Sequence, residues 1–118
     1  MKSTIKSSAD ISLLFSQGKR ISTPFITVLA MKRSDRHDHD RNHGRVAFIA
    51  GKKLGCAVWR NSAKRRMRAI VCDLGGPWDG YDIAFMARSP ILKASYGKVR
   101  SACAKALAKA DIIDPASR

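Results

Sequence analysis

The stretch "RVAFIAGKKLGCAVWRNSAKRRMRAIVCDL" (Arg45–Leu74) changes its hydrophobic period part-way along. In its first part, Arg45–Lys53, Val46, Phe48 and Ala50 alternate with Ala47 and Ile49, the period of two of an extended strand. Both parities are apolar, which predicts a central strand, and Gly51 offers a point at which a longer run splits in two. From about Ala57 to Leu74 the period becomes 3.6. Ala63, Met67, Ile70 and Leu74 fall at i, i+4, i+7 and i+11 and form an apolar stripe. Arg60, Lys64 and Arg68 form a second stripe rotated from the first, with Asn61 and Arg65 at its edge. "GGPWDG" (Gly75–Gly80) ends the helix, and "YDIAFMAR" (Tyr81–Arg88) reads as a short apolar strand. Strand, basic helix and strand in succession suggest a βαβ unit, hence an α/β or α+β fold with one mixed sheet.

The flanks extend this plan. Ser8 can cap a helix reaching about Gln17, with Gly18 as its stop and Ile11, Leu14 and Phe15 on one face. "PFITVLAMKR" (Pro24–Arg33) is rich in β-branched and apolar residues and reads as a strand. Ser95 can cap a last helix on which Tyr96, Val99, Cys103 and Leu107 share a face. The polar segment 34–43 reads as a flexible loop between strands, and 111–118 as a frayed tail. The whole chain, 1–118, is therefore expected to be one domain, and no internal repeat divides it.

Charge is the strongest compositional signal. Lys and Arg number 23 against 9 acids, a formal +14, and every acid is Asp. Such an excess costs the compact state self-repulsion, so an anionic partner is expected, nucleic acid before a membrane surface. From Lys52 to Arg68 there are seven cations and no acid. A merely solvated helix face would carry interspersed acids, and here none occurs. Cations one turn apart, about 5–6 Å, suit a row of phosphates, and Arg grips each in a fork. Each like-charge pair on the helix costs only about 0.2–0.5 kcal/mol. One buried aliphatic side chain, at about 1.5–3 kcal/mol, outweighs several such pairs.

Other chemistries find little support. There is no Glu, no Cys–His pairing at a recognised spacing and no Gly-rich phosphate loop. Asp10, Asp73, Asp79 and Asp82 are isolated in sequence and adjoin turns or element ends, where capping explains them. Cys56, Cys72 and Cys103 match no zinc spacing and read as small core residues of a reducing compartment. His37 and His39 could be drawn with Asp38 as a metal site, but a solvated turn is the preferred reading of that loop. No apolar run approaches the ~18 residues of a membrane span, and the N-terminus lacks the apolar core of a secretory signal. A cytoplasmic protein without membrane contact is expected.

"GKKLGCAVWRNSAKRRMR" (Gly51–Arg68) resembles the signature of the protein subunit of bacterial ribonuclease P, roughly Lys-Lys-x-Gly-x-Ala-Val-x-Arg-Asn-Arg-x-(Lys/Arg)-Arg. The likeness extends to the N-terminal helix with Phe15, to "YDIAFMARSP" and to "SYGKVRSACAKAL". The resemblance implies a two-layer α/β (α+β) sandwich, ribosomal protein S5 domain 2-like, with a mixed four-stranded sheet in the order α-β-β-β-α-β-α. It also implies a left-handed βαβ crossover, against the usual hand.

In function, the resemblance implies a protein that binds a catalytic RNA and the 5′ leader of precursor tRNA. The RNA itself performs the Mg²⁺-dependent cleavage, with Mg²⁺ held mainly by RNA and substrate. Lys52, Lys53, Arg60, Asn61, Lys64, Arg65 and Arg68 match the motif and would face the catalytic RNA. Ile11, Phe15, Arg20 and Val28 would line the leader cleft. The protein would act as a monomer within the holoenzyme and carry no catalytic side chain. Three positions depart from the pattern: Ser62 replaces a usual Arg, Ile11 a frequent Phe, and Val28 a frequent aromatic. A ribosomal-protein-like structural RNA binder is the alternative reading, and a metal enzyme built on His37 and His39 is a third. The roles of Trp59 and Trp78 are not readable from sequence.

Overall fold

The computed structural model describes residues 5, 8–32, 44–76, 78, 80–110 and 112. The expected loop 34–43, with His37 and His39, lies outside the described residues, as does nearly all of the tail 111–118. Among the described residues the elements run α1 (Ser8–Gln17), β1 (Lys19–Ser22), β2 (Ile26–Lys32), β3 (Arg45–Ile49), α2 (Ala57–Asp73), β4 (Tyr81–Ala87) and α3 (Tyr96–Lys109). Short 3₁₀ turns at Lys52–Leu54 and Ser89–Leu92 precede α2 and α3. This is the expected order α-β-β-β-α-β-α around one mixed four-stranded sheet.

The sheet order is β1-β2-β4-β3. β2 pairs antiparallel with β1 and β4, and β3 pairs parallel with β4. A parallel pair needs a crossover, and α2 supplies it. Strand parity then sorts the side chains. Ile26, Val28, Ala30, Val46, Ile83 and Phe85 form one core with Ala63, Met67, Ile70 and Val71 of α2 and Val99, Cys103, Ala106 and Leu107 of α3. Leu29, Ala47 and Ala84 face the other way and meet Ile5 and Leu14, with Ile11 packed against them. Thus α2 and α3 cover one face of the sheet and α1 the other.

Two readings of the strands are corrected. The extra strand is β1, not a second half of Arg45–Lys53, since Gly51 leads straight into the 3₁₀ turn. β1 is four mostly polar residues on the sheet edge, and only Ile21 is half-buried, so it carries no hydrophobic pattern to read. β3, expected at the centre, is at the other edge. Its apolar faces are explained by cover: α2 lies on one side and the α1 cluster on the other, while the Ile5 amide donates to the Val46 carbonyl at 2.7 Å along its rim. Two-sided burial reports covered faces, and in this sheet the edge strand has both.

Helix ends follow their local chemistry. The Ser95 hydroxyl accepts from the Lys98 amide at 3.2 Å and caps α3. Gly75, at φ 93°, takes the left-handed conformation that closes α2, and the Gly76 amide donates to the Val71 carbonyl at 2.8 Å. At Gly18 a Cβ would meet the Leu14 carbonyl oxygen at 2.5 Å, so only glycine lets α1 turn this tightly into β1.

The aspartates do more than cap. Arg45 Nε and Nη2 donate to the two carboxylate oxygens of buried Asp82 at 3.0 and 2.7 Å, and its Nη1 reaches Asp10 of α1 at 3.2 Å. The Asp82 bonds, then the nearby charges, raise the Arg45 pKa further, so α1, β3 and β4 are tied by a permanent cation. Arg100 Nε donates to Asp73 at 2.6 Å and links α3 to the end of α2. Asp10, Asp73 and Asp82, read as caps from sequence, are thus ion-pair partners.

The cysteines also divide. Cys103 is buried, and burial pushes its thiol up to about 12. Cys56 and Cys72 are exposed, against the expectation that all three are core residues. The backbone amides of Trp59 and then Val58, in the first turn of α2, lower the Cys56 pKa. Iodoacetamide at mildly alkaline pH is therefore expected to label Cys56 in the native protein and to spare Cys103 until denaturant is added. Mass mapping of the labelled peptides checks this, and native labelling of Cys103 would contradict the packing of α3.

Candidate nucleic-acid interface

The α2 helix divides around its axis as its sequence requires. Ala63, Met67, Ile70 and Val71 are buried against the sheet, and Leu74 is half-buried at the end of the stripe. Asn61, Arg65 and Arg68 are exposed, while Arg60 and Lys64 are half-buried on the flank between core and solvent. At about 100° per residue these five positions span one continuous arc of the helix. Lys52 and Lys53 are exposed on the 3₁₀ turn just before it. The structure therefore brings all seven expected residues to one side of the molecule.

Three details shape this surface. The Arg68 guanidinium lies 5.6 Å from the centroid of the Phe48 ring of β3, which holds the cation over an aromatic face. Arg60 Nε is sealed from solvent and has no hydrogen-bond partner in the structure. An unsatisfied buried donor costs about 1–3 kcal/mol, and an anion docked on the outer part of the guanidinium would offset that electrostatically. The first turn of α2 also presents its positive dipole end next to Lys52 and Lys53.

Arg66 and Ser62 stand apart from the arc. Arg66 Nη1 donates to the carbonyls of Ile91 and Ala94 at 3.0 and 2.7 Å, so this cation fastens the 3₁₀ turn before α3 and does not stand in for an Arg at 62. Ser62, half-buried, lies on the same flank as Arg66, away from Arg60 and Lys64. Val58, 75% exposed, sits on the outer ridge of the first turn of α2. A large aliphatic left so open beside the cations is a contact candidate that the sequence reading did not single out. Trp59 is half-buried against Gly55, and half-buried Trp78 packs on Phe85 at 6.4 Å, so both indoles are packing residues.

The second expected site is on the opposite face of the sheet. Phe15 is 46% exposed at the rim of α1 and is no core residue, while its neighbour Leu14 takes the buried place. Ile11 is half-buried on the same helix. Arg20 is exposed on β1 and pairs in register with Leu29, which sets it on the α1 face too. Val28 is corrected. It is 0% exposed and belongs to the core under α2 and α3, so it cannot reach a ligand beside Phe15. The β2 residues of opposite parity, Thr27, Leu29 and Met31, lie on the α1 face, and half-buried Met31, Ile49 and Met86 give that face an accessible apolar floor.

Among the described residues no group of three or more His, Cys, Asp or Glu is placed to hold a metal ion. None of the described helices is long and apolar enough to cross a membrane.

Fold and surface define a small basic α+β protein that displays a cation-lined helix on one side and a sheet face rimmed by Phe15 on the other. The sequence matches the family described as "Ribonuclease P" over residues 1–111, and the chain belongs to that family. It is 34% identical over 96 residues to the ribonuclease P protein component of Syntrophomonas wolfei, covering 80% of this chain and 76% of that protein. To the ribonuclease P protein component of Streptococcus agalactiae it is 30% identical over 98 residues, covering 81% and 84%. The fold is similar to that of the Staphylococcus aureus RNase P protein, with TM-score 0.78 at 23% identity over 97% of this chain and 100% of that one. The Thermotoga maritima RNase P protein gives TM-score 0.74 at 24% identity over 90% and 96%.

Proposed function

We propose that this chain is the protein subunit of a ribonuclease P holoenzyme and docks on the catalytic RNA through α2 and the turn before it. The observation that carries this reading is the unbroken cationic arc Arg60–Asn61–Lys64–Arg65–Arg68, preceded by Lys52 and Lys53, with no acid among them. Here the protein's work is positioning and charge neutralisation. It holds the RNA scaffold through phosphate contacts and contributes no proton-transfer or nucleophilic group. Mg²⁺, in this reading, is bound by RNA and substrate phosphates.

The α1 face is assigned the 5′ leader of precursor tRNA. Phe15 offers an exposed ring for base stacking, Ile11 an apolar wall and Arg20 a backbone-neutralising charge. With Val28 excluded and Ile11 aliphatic, Phe15 is the one aromatic among the residues assigned to this cleft, so stacking rests on it. In the holoenzyme, Phe15→Ala is expected to reduce the preference for precursor tRNA over leaderless tRNA by roughly tenfold, within the ~1–3 kcal/mol of one base–aromatic stack. Competition binding with the two tRNAs measures this. An unchanged preference would remove the leader from this face.

A further inference from the structure

The side of α3 turned away from α2 carries a groove that neither assigned surface uses. Arg100, on the α2 side, pairs with Asp73, while Lys98, Lys105 and Lys109 stand on the opposite flank at i, i+7 and i+11. That flank and the turn between β1 and β2 enclose a cavity of about 430 Å³, floored by Ile21 and Ala102 and walled by Phe25. No acidic residue lines it. The three lysines extend along about 16 Å of helix.

The wall is built, not loose. The Thr23 hydroxyl accepts from the amides of Phe25 and Ile26 at 3.2 and 3.0 Å and donates to the Ile26 carbonyl at 2.7 Å. Arg88 Nη1 donates to the Thr23 carbonyl at 2.9 Å, and the Arg88 amide to the Phe25 carbonyl at 3.1 Å. Lys19 Nζ reaches the Lys109 carbonyl at 3.2 Å and adds a fourth cation at one end. A solvated lysine face would need no such partner across from it. Here a line of cations opposes a fixed, half-buried aromatic ring across an apolar floor.

We propose that this groove binds a short single-stranded RNA segment, with phosphates along the α3 lysines and a base against Phe25. Cationic tracking of a backbone combined with an aromatic base platform is the chemistry of single-strand recognition. The cavity is too small for a duplex, and the helix length fits about two or three nucleotides. This site lies apart from the α2 arc and the α1 face, and it stands whether or not those carry their proposed ligands.

The test uses the full chain and a six-nucleotide uridine oligomer bearing one 4-thiouridine, with photo-cross-linking, peptide mapping and an affinity titration in salt. A cross-link within residues 22–25 is expected. Changing Lys98, Lys105 and Lys109 together to Gln should abolish it and lower the salt slope of binding by about 2, at ~0.7 per single-strand phosphate. Phe25→Leu should remove the cross-link and keep the slope. The double change Arg60→Ala and Lys64→Ala should leave the cross-link in place, which separates this groove from the α2 reading. Cross-links confined to α1 and α2, an unchanged slope in the Lys→Gln variant, or equal competition by an acidic peptide of matching charge would each overturn the proposal.

Discussion

Replacing Arg60, Lys64 and Arg68 together with alanine is expected to weaken binding to a bacterial ribonuclease P RNA by two to three orders of magnitude. Charge-assisted contacts contribute about 1.5–3 kcal/mol each, so two of the three near the low end of that range already give roughly 3–4 kcal/mol, or about 100- to 1,000-fold. The salt dependence should flatten by about 0.7–0.9 per lost phosphate contact, two to three in total. The fold should survive. None of the three belongs to the buried stripe of Ala63, Met67, Ile70 and Val71. Arg68 gives up its contact with Phe48, worth about 0.5–1 kcal/mol at an exposed site, and removing Arg60 also removes a buried unsatisfied nitrogen. Salt-titrated RNA binding alongside thermal melting separates the two effects. Unchanged affinity and slope in a folded variant would place the RNA elsewhere.

Phe85→Ala is expected to bring the largest loss of stability. Phe85 is 0% exposed on β4, a central strand. It stacks on Phe48 at 5.9 Å with the planes 24° apart and meets Trp78 at 6.4 Å. Truncating such a residue costs about 3–5 kcal/mol, a large share of the 5–15 kcal/mol typical of a small domain. A fall in Tm of roughly 15 °C or more follows for a chain of this size. The change also touches the interface, because Phe48 is the ring under Arg68. Phe85→Leu, which keeps the volume nearly filled, should cost much less and leave RNA affinity close to that of the parent. Urea denaturation of the two variants decides the point. A loss below about 1 kcal/mol for Phe85→Ala would mean that the core rearranges around the cavity.

How much of this was legible in the sequence depended on whether a residue's neighbours are local. The α2 helix was readable because its cations and apolar residues fall on different arcs of one regular period, and that same period sets Arg66 apart from Arg60 and Lys64. The carbonyls it grips, on Ile91 and Ala94, are 25 and 28 residues away and were not. β2 shows the limit of strand reading. Ile26, Val28 and Ala30 are buried on one face and Leu29 on the other, with Thr27 buried as well, so nothing local told which parity faces α1. A one-residue change in parity sends a side chain to the opposite face, and Val28, assigned to the cleft by resemblance and not by its own period, falls on the face under α2 and α3. β1 and the edge position of β3 were hidden because strand order is a property of pairing, which no stretch of five residues encodes. The lysine groove joins α3 to a turn more than seventy residues earlier and has no sequence signature at all.

A reconstitution tests the proposed role of this chain most directly. The chain is combined with a bacterial ribonuclease P RNA and 5′-labelled precursor tRNA, and cleavage is followed across a Mg²⁺ titration. The protein alone is predicted to leave the precursor intact. With the RNA present, it is predicted to shift the Mg²⁺ dependence so that correct 5′ cleavage occurs at concentrations where the RNA alone is nearly inactive. Activity of the RNA at low Mg²⁺ that is the same with and without the protein would contradict the assignment.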